Sequence, residues 1–278
     1  VLLQLPWARK EGMVLRPKWN PSHPAVRRIG VLMLPAVFGS AVYQLNQFIG
    51  TLLASFLPEG SISWLYYADR VVQFPLGIFG IAISTAALPT LSEHAALDNL
   101  SEFSETLSHS LRMVFFITFP AMVGLLVLGA PIVRLIYQRG AFDLHATSMT
   151  YRALVFYSVG LWAFSGIRIM VSAFYALQDT RTPVMVAICA LFVNLILSLL
   201  LMGPMKHAGL ALALSCASGI QFVLLVLALK YKAPQLSLLP AMGSVLKSSL
   251  ASAIMGVCLY LVQDKWGLAY AAKGSGYL

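Results

Sequence analysis

Charge is scarce in this chain. Asp, Glu, Lys and Arg supply only 10% of its 278 residues, while apolar residues reach 59% and the mean hydropathy is +0.81. Soluble domains carry about 25% charged residues, so the composition excludes an ordinary soluble globular domain and defines an integral membrane protein. Acid is the scarcer sign: 10 Asp and Glu face 19 Lys and Arg, a formal net charge of +9. On a soluble fold such an excess would suggest nucleic acid. Here the basic residues mostly flank apolar runs, as topology control and contact with anionic head groups require, so the reading is membrane lipid and no nucleic acid.

Other absences narrow the class further. The three cysteines, Cys189, Cys216 and Cys258, lie inside apolar runs without CxxC or Cys/His spacing, and are expected to be small buried hydrophobes rather than metal ligands or a disulfide framework. HExxH, GxSxG, GxGxxG and Walker patterns are missing, and His23, His94, His109, His145 and His207 fall in loops or at the ends of apolar runs. Hydrolase, metalloprotease and nucleotide-driven pump chemistry therefore lack their parts, and a transporter without a cofactor is expected. Strand-like alternation is also missing from the apolar runs, which excludes a barrel and leaves an all-α, polytopic transmembrane helix bundle.

What is present is a series of apolar runs long enough to cross a hydrocarbon core of about 30 Å. Seven are expected, at residues 29–56, 64–91, 112–137, 150–176, 182–203, 208–230 and 241–262. Residues 1–28 read as the end of a preceding helix and a cytoplasmic linker, and 263–278 as the start of a truncated last span; the chain starts on Val1 and is expected to be part of a longer protein. The first four spans (29–176) and the three that follow (177–262) form the two segments of the reading. Lys and Arg concentrate before the first span and after the second, fourth and sixth, which puts residues 9–28 in the cytoplasm. Between the second and third spans, residues 92–110 hold four of the ten acidic residues, with Leu97, Leu100, Phe103 and Leu107 at helical spacing. An amphipathic helix along the cytoplasmic surface is expected there.

Among the few ionisable residues inside the spans are Asp69, Arg70, Arg134 and Arg168. A guanidinium near the middle of a membrane costs about 3 kcal/mol on insertion scales, so such residues usually face a cavity or a partner. Its planar fork of donors also suits phosphate. Arg70 and Arg168, with Asp69, are the candidate substrate-binding residues, and two arginines facing one cavity would suit a diphosphate head group. Arg134 lies near a span end, where it can snorkel to the interface. Asn46 and Gln44, Asn194 and Ser198, and Ser215 with Ser218 are polar positions within apolar runs. Asn194 and Ser198 share a helix face and are weak candidates for Na⁺, although interhelical hydrogen bonding suits them better without a carboxylate.

Four segments carry a further signal: WLYYADR (64–70), PLGIFGIAISTAALPTLS (75–92), IYQRGAF (136–142) and FYALQDTRTPV (174–184). In content, order and spacing they resemble the MurJ/MviN family of lipid II flippases, over about residues 1–262. Members of that family have fourteen transmembrane helices in two lobes and belong to the multidrug/oligosaccharidyl-lipid/polysaccharide exporter superfamily. The chain is similar to the part from the end of the sixth helix to the thirteenth. The resemblance implies alternating-access flipping of lipid II, the undecaprenyl-pyrophosphate-linked disaccharide-pentapeptide, across the bacterial cytoplasmic (inner) membrane for peptidoglycan synthesis, alongside cell-wall synthesis proteins. Arg70 matches the family's YADR arginine, associated with the lipid II head group, and Arg168 falls where relatives often carry a basic residue. Some relatives have a Na⁺ site with acidic residues, where this chain has Gly50, Asn194 and Ser198. A related exporter of polysaccharide lipids or drugs, and a membrane scaffold of a cell-wall complex, are the alternative readings.

Overall fold

A computed structural model of the chain describes residue 20 and residues 23–235 and 239–265. Nine elements of α-helix occur among them, in the order α1 (Pro24–Ser55), α2 (Ser61–Pro75), α3 (Ala82–Ala96), α4 (Leu100–Tyr137), α5 (Leu144–Val159), α6 (Leu161–Ala176), α7 (Arg181–Met205), α8 (His207–Lys232) and α9 (Leu239–Lys265), with no strand among the described residues. Among the described residues five helical segments are long and apolar enough to cross a membrane, and six if the bent pair α5 and α6 is one span, against the seven spans expected. The first expected span corresponds to α1, which is helical over 32 residues. The preceding linker, apart from its last few residues, and the expected final span beyond 265 lie outside the described residues.

The breaks follow local chemistry. Gly60 has φ +93°, and a β-carbon there would stand 2.6 Å from the Trp64 ring, so only glycine turns the chain tightly into α2. The second span runs unbroken from Ser61 to Ala96 but widens to a π-helix over Leu76–Ile81, directly after Pro75. Proline lacks the amide that would continue the ladder, and the wider turn accommodates the loss. Residues 150–176, expected as one span, belong to two helices that meet at Gly160 with a 44° bend. Ser215 of α8 packs at this corner, its hydroxyl donating to the carbonyl of Phe156 at 2.7 Å.

The surface helix expected over residues 92–110 does not form as a separate element. Ser92–Ala96 complete α3, residues 97–99 turn, and Leu100 opens α4, which runs 38 residues without interruption. Asp98 takes φ 55° in this turn, and the Asn99 side chain caps α4 by accepting from the Glu102 amide at 3.2 Å. The apolar spacing is real, but Phe103 and Leu107 are fully buried, in a core with Leu91 of α3, Ile169 and Phe174 of α6, and Leu225 and Leu229 of α8. A second core, at the other end of the bundle, joins Leu53 and Ala54, Leu65 and Val72, Val133, Leu154 and Leu210.

The outside of the bundle is as apolar as the inside. Phe192, Ile196, Leu199 and Leu200 of α7 are all exposed, an arrangement stable only against hydrocarbon. Cys189, Cys216 and Cys258, expected to be buried, are exposed as well. Within a bilayer the outward face of a helix is itself apolar, so a thiol needs no protein neighbour to leave water.

Candidate functional site

A half-open cavity of about 430 Å³ lies between α1, α2, α5, α7 and α8. Helix α2 contributes Tyr66, Asp69, Arg70 and Gln73, whose three- and four-residue spacing puts them on one face. Helix α1 adds Tyr43, Gln44, Asn46, Gln47 and Thr51, α7 adds Asn194 and Ser198, and Leu210 and Leu214 of α8 supply apolar wall. Tyr157 comes from α5, next to the bend at Gly160.

Arg70 is exposed to this space, its guanidinium carbon 4.7 Å from the centre of the Tyr66 ring. Its Nη1 donates to Gln73 Oε1 at 3.3 Å, while Gln73 Nε2 donates to the Asp69 carboxylate. Consecutive helical residues point about 100° apart, so the amide bridges an acid and a base that do not face each other. Lys232 with Asp179 is the only ion pair among the described residues; Arg70 is held by a ring face and a neutral amide. Its charge is oriented without being cancelled by direct contact. Gln73 was not singled out in the sequence, although its position three after Arg70 and four after Asp69 is the signal that finds it.

Asn194, Ser198 and Asn46 meet in the same cavity. Asn194 Nδ2 donates to Asn46 Oδ1 at 2.8 Å, tying α7 to α1, and Ser198 Oγ donates to Asn194 Oδ1 at 3.5 Å. This is interhelical hydrogen bonding. The oxygens are neutral and already engaged, and Asp69, the carboxylate lining the cavity, is bonded to Gln73. That set does not fit a hard cation, which needs several free oxygens and usually carboxylate charge. Gly50 also lines the cavity.

The structure does not bring the two candidate arginines together. Arg168 is exposed on α6 and is not among the residues lining the Arg70 cavity. Arg134 is exposed in the last turn of α4, where a cation complements the helix dipole. Two of the sequence segments, by contrast, meet directly. Tyr67 of WLYYADR lies 4.7 Å from Tyr137 and 5.2 Å from Phe142 of IYQRGAF, centroid to centroid, forming an aromatic cluster beside Tyr66. FYALQDTRTPV forms the corner between α6 and α7. Asp179 there accepts from the Arg181 and Thr182 amides at 3.2 and 3.1 Å and pairs with Lys232 at the end of α8. Partial burial pushes the Asp179 pKa up, but hydrogen bonds from Lys232 and Thr182 and the ammonium charge outweigh it, leaving the carboxyl below its usual value.

An apolar helix bundle around a polar cavity that holds an oriented guanidinium has the architecture of a multi-pass membrane protein. The chain belongs to the lipid II flippase MurJ family, whose model matches residues 1–273. It is 37% identical over 277 residues to the probable lipid II flippase MurJ of Vibrio cholerae serotype O1, covering 98% of this chain and 53% of that protein. With the Haemophilus influenzae protein of the same description the identity is 40% over 233 residues, covering 81% and 45%. A solved lipid II flippase MurJ in an inward closed conformation matches with a TM-score of 0.72 at 29% identity, over 94% of this chain and 53% of that one. The chain thus spans about half the length of the curated relatives it matches.

Proposed function

We propose that the protein flips lipid II across the bacterial inner membrane by alternating access, and that Arg70 receives the diphosphate of the head group. The observation that carries this reading is a guanidinium exposed to a cavity, oriented by Tyr66 and Gln73 and free of any direct carboxylate contact. A diphosphate cannot enter hydrocarbon unless its hydration is replaced, and a fork of N–H donors replaces it while the polyprenyl tail stays in lipid. Asp69 and Gln73 are positioning residues in this account: the carboxylate anchors the amide, and the amide aims the guanidinium. Membership of the MurJ family supports the substrate, and delivery of that substrate to the outer surface implies enzymes of cell-wall synthesis as the downstream partners. Arg168 is proposed as a lesser contact with the head group, made outside the Arg70 cavity.

The test is outer-leaflet lipid II in cells depleted of their own flippase and supplied with wild type, Arg70→Ala, Arg70→Lys or Arg168→Ala at matched levels. Arg70→Ala should abolish the signal and Arg70→Lys should lose most of it, because lysine keeps the charge but not the planar fork. Arg168→Ala should retain a larger share. Full transport by Arg70→Ala would make Arg70 structural and overturn the assignment.

A further inference from the structure

A second, larger space lies away from the substrate cavity. An open cleft of about 640 Å³ is lined by Leu100, Ser101, Ser104, Glu105, Ser108 and Arg112 of α4, with Gln235 from the segment after α8. Ser101, Ser104, Ser108 and Arg112 follow three- and four-residue steps, so one polar face of α4 looks into it. Glu105 and Arg112 bound it with opposite charge, and neither forms an ion pair among the described residues. The Nε of Arg112 is buried and has no hydrogen-bond partner, although a buried guanidinium N–H normally finds an acceptor.

The level of the cleft in the membrane says what could fill it. At 1.5 Å per residue the 38 residues of α4 extend about 57 Å, well beyond a hydrocarbon core of about 30 Å. The run that can lie in hydrocarbon starts directly after Arg112, where Met113 and Phe116 are exposed large apolar residues. Arg112 therefore sits at the boundary, with polar helix on one side and lipid-facing surface on the other. The seven residues from Glu105 to Arg112 rise about 10.5 Å along the axis. A charged pair set this far apart on one helix face suits a short zwitterion with its anion toward the hydrocarbon and its cation toward water.

We propose that this cleft binds the phosphoethanolamine head group of a membrane lipid, its phosphate on Arg112 and its ammonium on Glu105, with the acyl chains lying against Met113 and Phe116. The serine face and Gln235 border the polar part. By the distribution of Lys and Arg in the loops, the leaflet is the cytoplasmic one. An anionic lipid such as phosphatidylglycerol offers the phosphate but no cation for Glu105, whose charge disfavours it.

Native mass spectrometry of the purified protein with equal amounts of phosphatidylethanolamine and phosphatidylglycerol tests this. Wild type should retain phosphatidylethanolamine about fivefold better, the upper range for one exposed ion pair. Arg112→Ala should lose the bound lipid, and Arg112→Lys, which keeps the charge and is more certain to fold, should keep part of it. Glu105→Gln should retain both lipids equally. Equal retention of the two lipids by wild type, or an unchanged preference in both Glu105→Gln and Arg112→Ala, would overturn the proposal. Displacement of the lipid by equimolar soluble glycerophosphoethanolamine would also overturn it, by making a water-soluble head group the ligand.

Discussion

Arg70 shows how one side chain is made usable inside a membrane protein. A bare guanidinium facing hydrocarbon costs several kcal/mol, and a tight carboxylate pair would leave little charge for a substrate. The Asp69–Gln73–Arg70 relay avoids both, because the acid binds the amide and the amide binds the base. Gln73→Leu should therefore impair transport without altering any charge. A lost hydrogen bond to a charged group is worth about 1.5 kcal/mol, or about tenfold in rate, to be read as the initial rate of lipid II appearance at the outer surface. An unchanged rate would mean that Tyr66 alone orients Arg70. Part of this was legible in the sequence, since the charged pair stands out inside an apolar run whatever the fold, and both residues line the cavity. The bond between Asn46 and Asn194 was not, because 148 residues separate the two amides and only the packing of α1 on α7 brings them together.

At the scale of elements, corners and close approaches hold the helices in place. Gly209 lets α7 and α8 pack tightly at their shared turn: a β-carbon there would stand 2.3 Å from the backbone oxygen of Leu201, which has no rotamer by which to yield. Gly209→Ala should destabilise the protein by about 1–3 kcal/mol, seen as a lower Tm in detergent. At the opposite end of this hairpin, Asp179 both caps α7 and pairs with Lys232. Asparagine caps about as well as aspartate, so Asp179→Asn isolates the ion pair and should cost under about 1 kcal/mol at neutral pH, while Asp179→Ala should cost more. Because folding lowers the Asp179 pKa, its contribution is present above the ordinary carboxylate value and fades as pH falls through the depressed one. Thermal melts from pH 7 downward should show that loss in wild type and not in Asp179→Asn. The positions of most helices were readable from the apolar runs, although the helix from Leu100 to Tyr137 starts twelve residues before its expected span. The bend at Gly160 was not, because residues on both sides continue the same apolar pattern. Nor was the fate of residues 92–110: Phe103 and Leu107 of the expected apolar face are buried, but Leu97 is exposed in the turn, and the partner, α3 with α6 and α8 rather than a lipid surface, only tertiary packing decides.

The whole molecule is an apolar-sided bundle with one core at each end and a polar cavity against the core formed around Leu65, Leu154 and Leu210. Its exterior answers to the bilayer and its cores to helix packing, and the cavity is where we propose that the head group is received. The family and the all-helical architecture were legible because four segments and a run of apolar spans survive any choice of boundary. The separation of Arg168 from Arg70 was not, since the faces of α2 and α6 are fixed by the bundle as a whole. The central claim is that Arg70 recognises a diphosphate, and its most direct test is the affinity of the purified protein for polyprenyl-linked sugar carried on a diphosphate compared with the same sugar on a monophosphate. Wild type should prefer the diphosphate by about tenfold, as one charge-assisted bidentate contact allows, and Arg70→Ala should show no preference. Equal affinity of wild type for the two lipids, or an undiminished preference in Arg70→Ala, would contradict the account.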